Sequence, residues 1–234
     1  MKNKVLWITT FLPLFVTLVV INFLPARIPT HYDLQGNIDA WGSRNTMFIF
    51  PIIIIVITLF WILLIRYFEK KSINAPEDKD RKEAAGNAKV LYIVAIVENM
   101  IFNVMCYFFM ISAYLEVQSN LQTMAIDINT VMCVVFGLVF IVLGNLMPKC
   151  KRNGVVGLRT TWSMKNHVAW AKSQRWGGIT FVISGLIIWI STFIYGGITA
   201  TAIMIGILLL DAALCFPISY LAWKKSVKEE DKIN

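Results

Sequence analysis

Two carboxylic acids stand inside runs of apolar residues: Glu98, with Asn99 beside it and Asn103 a turn further on, and Asp211, within ITATAIMIGILLLDAALCFPISYLAW. Ionisable groups at such depth are costly and are functional-site candidates by default. No Lys or Arg lies within any of the apolar runs to neutralise them. Several chemistries are open. The acids can be protonated, because burial disfavours the charged form. Arg159 or Arg175 can fold back from a neighbouring loop to pair with one of them, a planar guanidinium suiting bidentate contact. They can form a proton or ion pathway, or serve packing alone through hydrogen bonds to neighbouring helices. A second group, His31, Asp33 and Asp39, lies in LPARIPTHYDLQGNIDAWGSRN, residues 24–45. These side chains could hold a ligand or metal, or cap turns locally; their spacing matches no metal motif. Catalytic constellations are absent: there is no H-E-x-x-H, no G-x-S-x-G and no phosphate-binding Gly-rich loop. The chain is not expected to be an enzyme or to need a cofactor.

The elements that carry these residues follow from composition. Hydrophobic residues make up 57% of the 234, and charged residues only 15%, against about 25% in an average soluble domain. The apolar residues come in blocks, and about 20 in a row span the roughly 30 Å hydrocarbon core as a helix. Nothing alternates as barrel strands do. Six spans are expected, over 5–25, 46–65, 90–115, 130–147, 177–195 and 200–223, making an all-α polytopic membrane protein. Residues 1–25 have no clear A-x-A-like cleavage site and read as a retained first helix. Of the 22 Lys and Arg, all but Arg27 and Arg44 fall in the N-terminus (Lys2, Lys4), segments 66–89 and 148–176, and the tail, whose last basic residue is Lys232. That bias predicts both termini inside. The net charge of +8 is thus mostly topology, with basic loops free to contact anionic lipid heads; direct nucleic-acid binding is not expected. Cys106, Cys133 and Cys215 lie in spans and Cys150 in an inside loop, so no disulfide framework is implied.

The division expected is a two-span domain over 1–66, a polar, mobile cytoplasmic linker over 67–88, and a four-span domain over 89–234 with a cytoplasmic loop at 148–176. In the outside loop Pro25 and Pro29 fix backbone angles and stop the first helix. Gly36 and Gly42 permit turns, and Trp41 suits the membrane interface. The loop is therefore expected to be ordered. The inside segment 144–178 has seven basic residues and no acidic one. Pro148 closes the fourth helix, Asn153-Gly154 and Gly157 are turn signals, and Ser163 could cap a short helix over roughly 164–176. On it His167, Trp170 and Gln174 share a face, and such a basic helix suits the headgroup plane. The very short 196–199 connection predicts an antiparallel hairpin of the last two helices. Gly137/Gly144 and Gly178/Gly185 mark close helix packing, within one chain or between chains.

Two motifs carry a family resemblance. The run Gly144, Asn145, Pro148, Lys149, Lys151, Asn153, Gly157, Arg159, Thr160 and Trp162, followed by Trp170, Arg175, Gly177 and Gly178, resembles the SdpI family of bacterial membrane proteins. The upstream run Pro25, Pro29, His31, Asp33, Gly36, Asp39, Trp41 and Gly42 resembles an uncharacterised domain often found ahead of it. The sequence departs from the pattern at Thr161, where relatives often carry proline, and in its long 66–89 segment. The resemblance implies a multi-pass protein of the bacterial plasma membrane that confers immunity to a secreted peptide toxin. It also implies a signalling role, in which a cytoplasmic repressor is held at the membrane when toxin is present. The partners implied are the lipid bilayer, the toxin and the repressor. Recognition would fall to the upstream residues, and docking to Asn145, Pro148, Lys149, Asn153, Gly157, Arg159, Thr160, Trp162, Trp170 and Arg175. A small proton-coupled transporter or exporter using Glu98 and Asp211 is the alternative, and a structural membrane partner a third reading.

Overall fold

The computed structural model describes residues 3–33, 35–153 and 155–230. Lys2, Gly154 and Lys232, which enter the charge and turn arguments, lie outside the described residues. The elements run α1 (Asn3–Val20), β1 (Arg27–Tyr32), β2 (Ile38–Ser43), α2 (Ile49–Asn74), α3 (Asp78–Gln118), α4 (Ile128–Leu146), α5 (His167–Tyr195) and α6 (Gly197–Glu230). Short 3-10 turns at Arg44–Phe48 and Met147–Lys149 precede α2 and follow α4. Among the described residues five helices are long and apolar enough to cross a membrane, and α1 is a shorter apolar helix. The chain is an all-α polytopic membrane protein carrying one antiparallel hairpin, β1–β2.

Three boundaries differ from expectation. The first helix ends at Val20, ahead of Pro25. The Asn22 amide donates to the carbonyls of Leu18 (2.9 Å) and Val19 (3.4 Å), satisfying groups a helix end leaves open. Segment 67–88 is helical except at 75–77: α2 runs on to Asn74 and α3 begins at Asp78. At 41 residues α3 is about 60 Å long, twice the hydrocarbon core, so its polar first turns extend well past its apolar run. Finally, α5 starts at His167 and continues unbroken into the fifth span. Its cap is Asn166, whose side chain accepts from the Ala169 N–H at 2.7 Å, and not Ser163.

The chain divides into two compact units, residues 1–63 with 92–128, and residues 64–91 with 129–234. In the first unit α1, α2 and α3 are joined by a polar layer. The fully buried Thr10, Thr58 and Asn99 exchange hydrogen bonds of 2.9–3.2 Å, and Asn103 donates to the Thr9 carbonyl at 2.8 Å. In lipid, such contacts and close packing replace the missing hydrophobic drive between helices. Above this layer Leu24, Ile28, Met47, Cys106, Met110 and Ala113 form an apolar cluster that seats the hairpin.

In the second unit α4 and α5 meet through the four glycines, which settles that close packing as intrachain. A methyl group on Gly144 would lie 2.6 Å from the Gly178 carbonyl oxygen, and one on Gly185 2.5 Å from that of Gly137. Trp189 closes over Gly137, donating to the Val134 carbonyl at 2.7 Å, and Phe140 stacks on Phe181. Between α5 and α6 stands only Gly196, at φ 60°, and Gly197 follows at φ 49°, both in the left-handed region that favours glycine. The expected tight hairpin is formed.

Candidate recognition and docking sites

The hairpin of the first unit is built from the upstream motif. Asp33 makes its turn: one carboxylate oxygen accepts from the N–H groups of Gln35 (2.9 Å) and Asn37 (2.8 Å), the other from the Asn37 amide (2.8 Å). These donors hold the Asp33 carboxyl below the usual carboxylate range. Gly36 takes φ 83° at the tip. Pro29 faces Trp41 across the strands and Ile28 faces Gly42, and a methyl group on Gly42 would lie 2.7 Å from the Thr30 side chain. Pro25 is exposed between α1 and β1. His31 Nδ1 and Asp39 Oδ1 are 2.6 Å apart on the exposed side of the hairpin, where Trp41 is also exposed. The structure thus joins His31 to Asp39, while Asp33 is occupied by the turn. Among the described residues no group of three His, Cys, Asp or Glu is placed to hold a metal ion.

One residue central to this site was absent from the sequence reading. Glu116, near the end of α3, is fully buried. Its carboxylate accepts from the Tyr32 hydroxyl (2.7 Å), the Ser112 hydroxyl (2.6 Å) and the Ala125 N–H (3.0 Å). It therefore ties the hairpin, its own helix and the loop after it into one body. The same loop pairs with the hairpin tip through Ile38 N–H to the Gln122 carbonyl (2.9 Å) and Met124 N–H to the Gly36 carbonyl (2.8 Å). Burial first, and then the bond to Glu116, push the Tyr32 phenol well above its ordinary 10, so it stays a donor. An acid just past an apolar run was the available signal; alone it does not distinguish a solvated helix end from a buried clasp.

The second unit carries the loop motif. Asn153 accepts from the N–H groups of Val155 (2.7 Å) and Val156 (2.9 Å) and donates to the carbonyls of Lys151 (2.8 Å) and Val156 (3.1 Å). Gly157 sits at φ 106°, and a methyl group there would meet Gln174 Oε1 at 2.7 Å. The buried Gln174 side chain grips the Leu158 backbone twice, accepting from its N–H and donating to its carbonyl, each at 2.9 Å. Ser163 accepts from Thr160 N–H and donates to the Leu158 carbonyl, both at 2.9 Å. Trp170, buried, donates to the Cys150 carbonyl at 2.8 Å. Trp162 packs edge-on against Tyr220, and the Lys165 ammonium sits 4.0 Å from the Trp223 ring centroid, tying the loop to α6. By contrast Asn145, Pro148, Lys149, Arg159 and Arg175 are exposed. The motif splits into residues that shape the loop and residues that stand exposed.

The intramembrane acids have local partners. Glu98 accepts a hydrogen bond from the Trp61 indole N–H. Asp211 is buried, faces the Ser184 hydroxyl, and its Oδ2 has no partner among the described residues. No ion pair among the described residues contains Arg159, Arg175 or either of these acids.

Residues 8–55 match a family described as a domain of unknown function, DUF1648, and residues 149–220 match the SdpI/YfhL protein family. The chain is 24% identical over 227 residues to the immunity protein SdpI of Bacillus subtilis strain 168, covering 96% of this chain and 97% of that one. No solved structure matches. The first segment takes in most of α1, the hairpin and the start of α2; the second takes in the loop from Lys149 onward, α5 and most of α6. The chain is a multi-pass bacterial membrane protein in which a segment similar to DUF1648 precedes one similar to the SdpI/YfhL family.

Proposed function

We propose that this protein confers immunity to a secreted peptide toxin. The observation that carries this reading is the similarity to an immunity protein along nearly the whole of both chains. With both termini inside, as the Lys and Arg distribution supports, the hairpin of residues 24–45 faces the toxin. Its exposed His31–Asp39 pair and Trp41 offer a hydrogen-bonding pair beside an aromatic face at the bilayer surface. The loop of residues 148–176 then faces the cytoplasm. Exposed Lys149, Arg159 and Arg175 suit an acidic patch on a repressor, which would add signalling to immunity. Asn153, Gly157, Thr160, Trp162 and Trp170 hold the shape on which those cations stand. Deleting the gene should make the host sensitive to a secretion of its siblings; unchanged survival against every sibling secretion would refute immunity.

One observation favours a second reading. The unpartnered Oδ2 of buried Asp211 is what a proton-coupled transporter would use. Asp211→Asn keeps the shape and removes the titration. An immunity scaffold tolerates this change, and a proton-coupled exporter loses its activity.

A further inference from the structure

In the second unit a cleft of ≈ 320 Å³ opens between the polar end of α2, the first turns of α3 and the loop after α4. Phe68, Lys71, Asp80, Glu83, Asn87 and Arg152 are among its lining residues. The volume is at the low end for small-ligand pockets. Two cations and two carboxylates face this space, yet they do not neutralise each other. Lys71, Asp80 and Arg152 belong to no ion pair among the described residues, and Glu83 meets only His167, at 3.5 Å. Among the described residues Arg152 makes a single long hydrogen bond, 3.4 Å to the Met164 carbonyl.

Asn87 adds a further hydrogen-bonding group to the lining. Its side chain is 2% exposed and lines the cleft. Its Oδ1 accepts from Asn153 at 3.4 Å, but its own N–H groups reach no acceptor among the described residues. The cleft also starts within two turns of the last apolar residues of α2, at the level where phospholipid heads lie.

A purely anionic ligand would set Asp80 and Glu83 against it, and a purely cationic one Lys71 and Arg152. A zwitterion satisfies both pairs. Its phosphate would take the N–H donors of Arg152, Lys71 and Asn87. Its positive end must donate to carboxylates, which a primary ammonium does through three N–H groups and a quaternary ammonium cannot. We propose that this cleft binds phosphoethanolamine, as the head of an aminophospholipid or as the free zwitterion. The inference does not depend on the immunity reading.

Native mass spectrometry of the full chain in detergent tests it, with short-chain phosphatidylethanolamine, phosphatidylcholine and phosphatidylglycerol as probes. Phosphatidylethanolamine should bind about tenfold more tightly than the other two, the effect of one charge-assisted hydrogen bond. Glu83→Gln and Arg152→Gln should each erase that preference without lowering the lipid-free melting temperature. Lys71→Gln, at an exposed helix position, serves if Arg152→Gln fails to fold. Competition by free O-phosphoethanolamine assigns the site to the soluble zwitterion as well; a preference among lipids without such competition assigns it to the lipid head. Equal binding of the three lipids with no binding of free O-phosphoethanolamine, or a preference that survives Glu83→Gln and Lys71→Gln, would overturn the proposal.

Discussion

Replacing Glu116 by alanine should free the hairpin while the helices stay folded. The carboxylate accepts three hydrogen bonds inside a fully buried site. With alanine there, Ser112 can turn its hydroxyl to the carbonyl one helical turn back. The Ala125 N–H has no such choice, and Tyr32 is left half-buried without its acceptor. Each buried donor left unmet costs about 1–3 kcal/mol, so the change should destabilise the hairpin by roughly 2–5 kcal/mol. Glu116→Gln retains the carbonyl facing Ser112 and Ala125, and Tyr32 can rotate to accept from its amide, so it should cost about 1 kcal/mol. Limited trypsinolysis reads the difference, because Arg27 and Arg44 are the basic residues of segment 24–45. Cleavage at these sites follows the open population, and 3 kcal/mol raises that population on the order of a hundredfold. Equal cleavage of the Glu116→Ala and wild-type proteins at both arginines would refute the clasp.

Three further outcomes follow from geometry. Tyr32 titrates higher folded than unfolded, so its contribution to hairpin stability is complete below pH 10 and lost as pH rises beyond it; the wild-type protein should lose protection at Arg27 between pH 10 and 12 more steeply than Tyr32→Phe, and parallel curves would contradict this. Gly178→Val would drive a side chain into the Gly144 backbone carbonyl, which cannot move aside; an overpacking cost of about 1–3 kcal/mol should lower the melting temperature in detergent, and an unchanged value would show that α4 and α5 are not so closely apposed. Burial pushes the Cys150 thiol up to about 11, so maleimide at neutral pH should spare it in the folded loop and modify it in Trp170→Ala; rapid labelling of the wild-type chain would show that the loop is open.

Apolar runs were enough to find the helices, because length and hydropathy are what a bilayer selects. They were not enough to find helix ends, which depend on single capping side chains such as Asn22 and Asn166. The 67–88 segment is polar in composition yet helical, since the polar turns of α2 and α3 extend beyond the apolar span. An ordered 24–45 loop could be inferred from Pro25, Pro29, Gly36 and Gly42, but the pairing of two strands could not, because its register depends on contacts with Gln122 and Met124 far along the chain. For the same reason Glu116 and Gln174 stayed hidden as clasps: each acts on a residue distant in sequence, Tyr32 and Leu158 respectively. His31 and Asp39, by contrast, were brought together as a pair across the hairpin.

Survival under toxin challenge measures the proposed immunity directly. The chain would be expressed in a bacterial strain sensitive to the secreted peptide toxin of the SdpI family's immunity system, as wild type and as Arg159→Ala, with membrane levels matched by immunoblot. Arg159 is exposed and makes no ion pair among the described residues, so its loss should leave the fold intact. The wild-type chain should protect the strain, and Arg159→Ala, at equal abundance, should protect it less. Sensitivity equal to that of the empty strain, from a wild-type chain confirmed in the membrane, would contradict the proposed immunity.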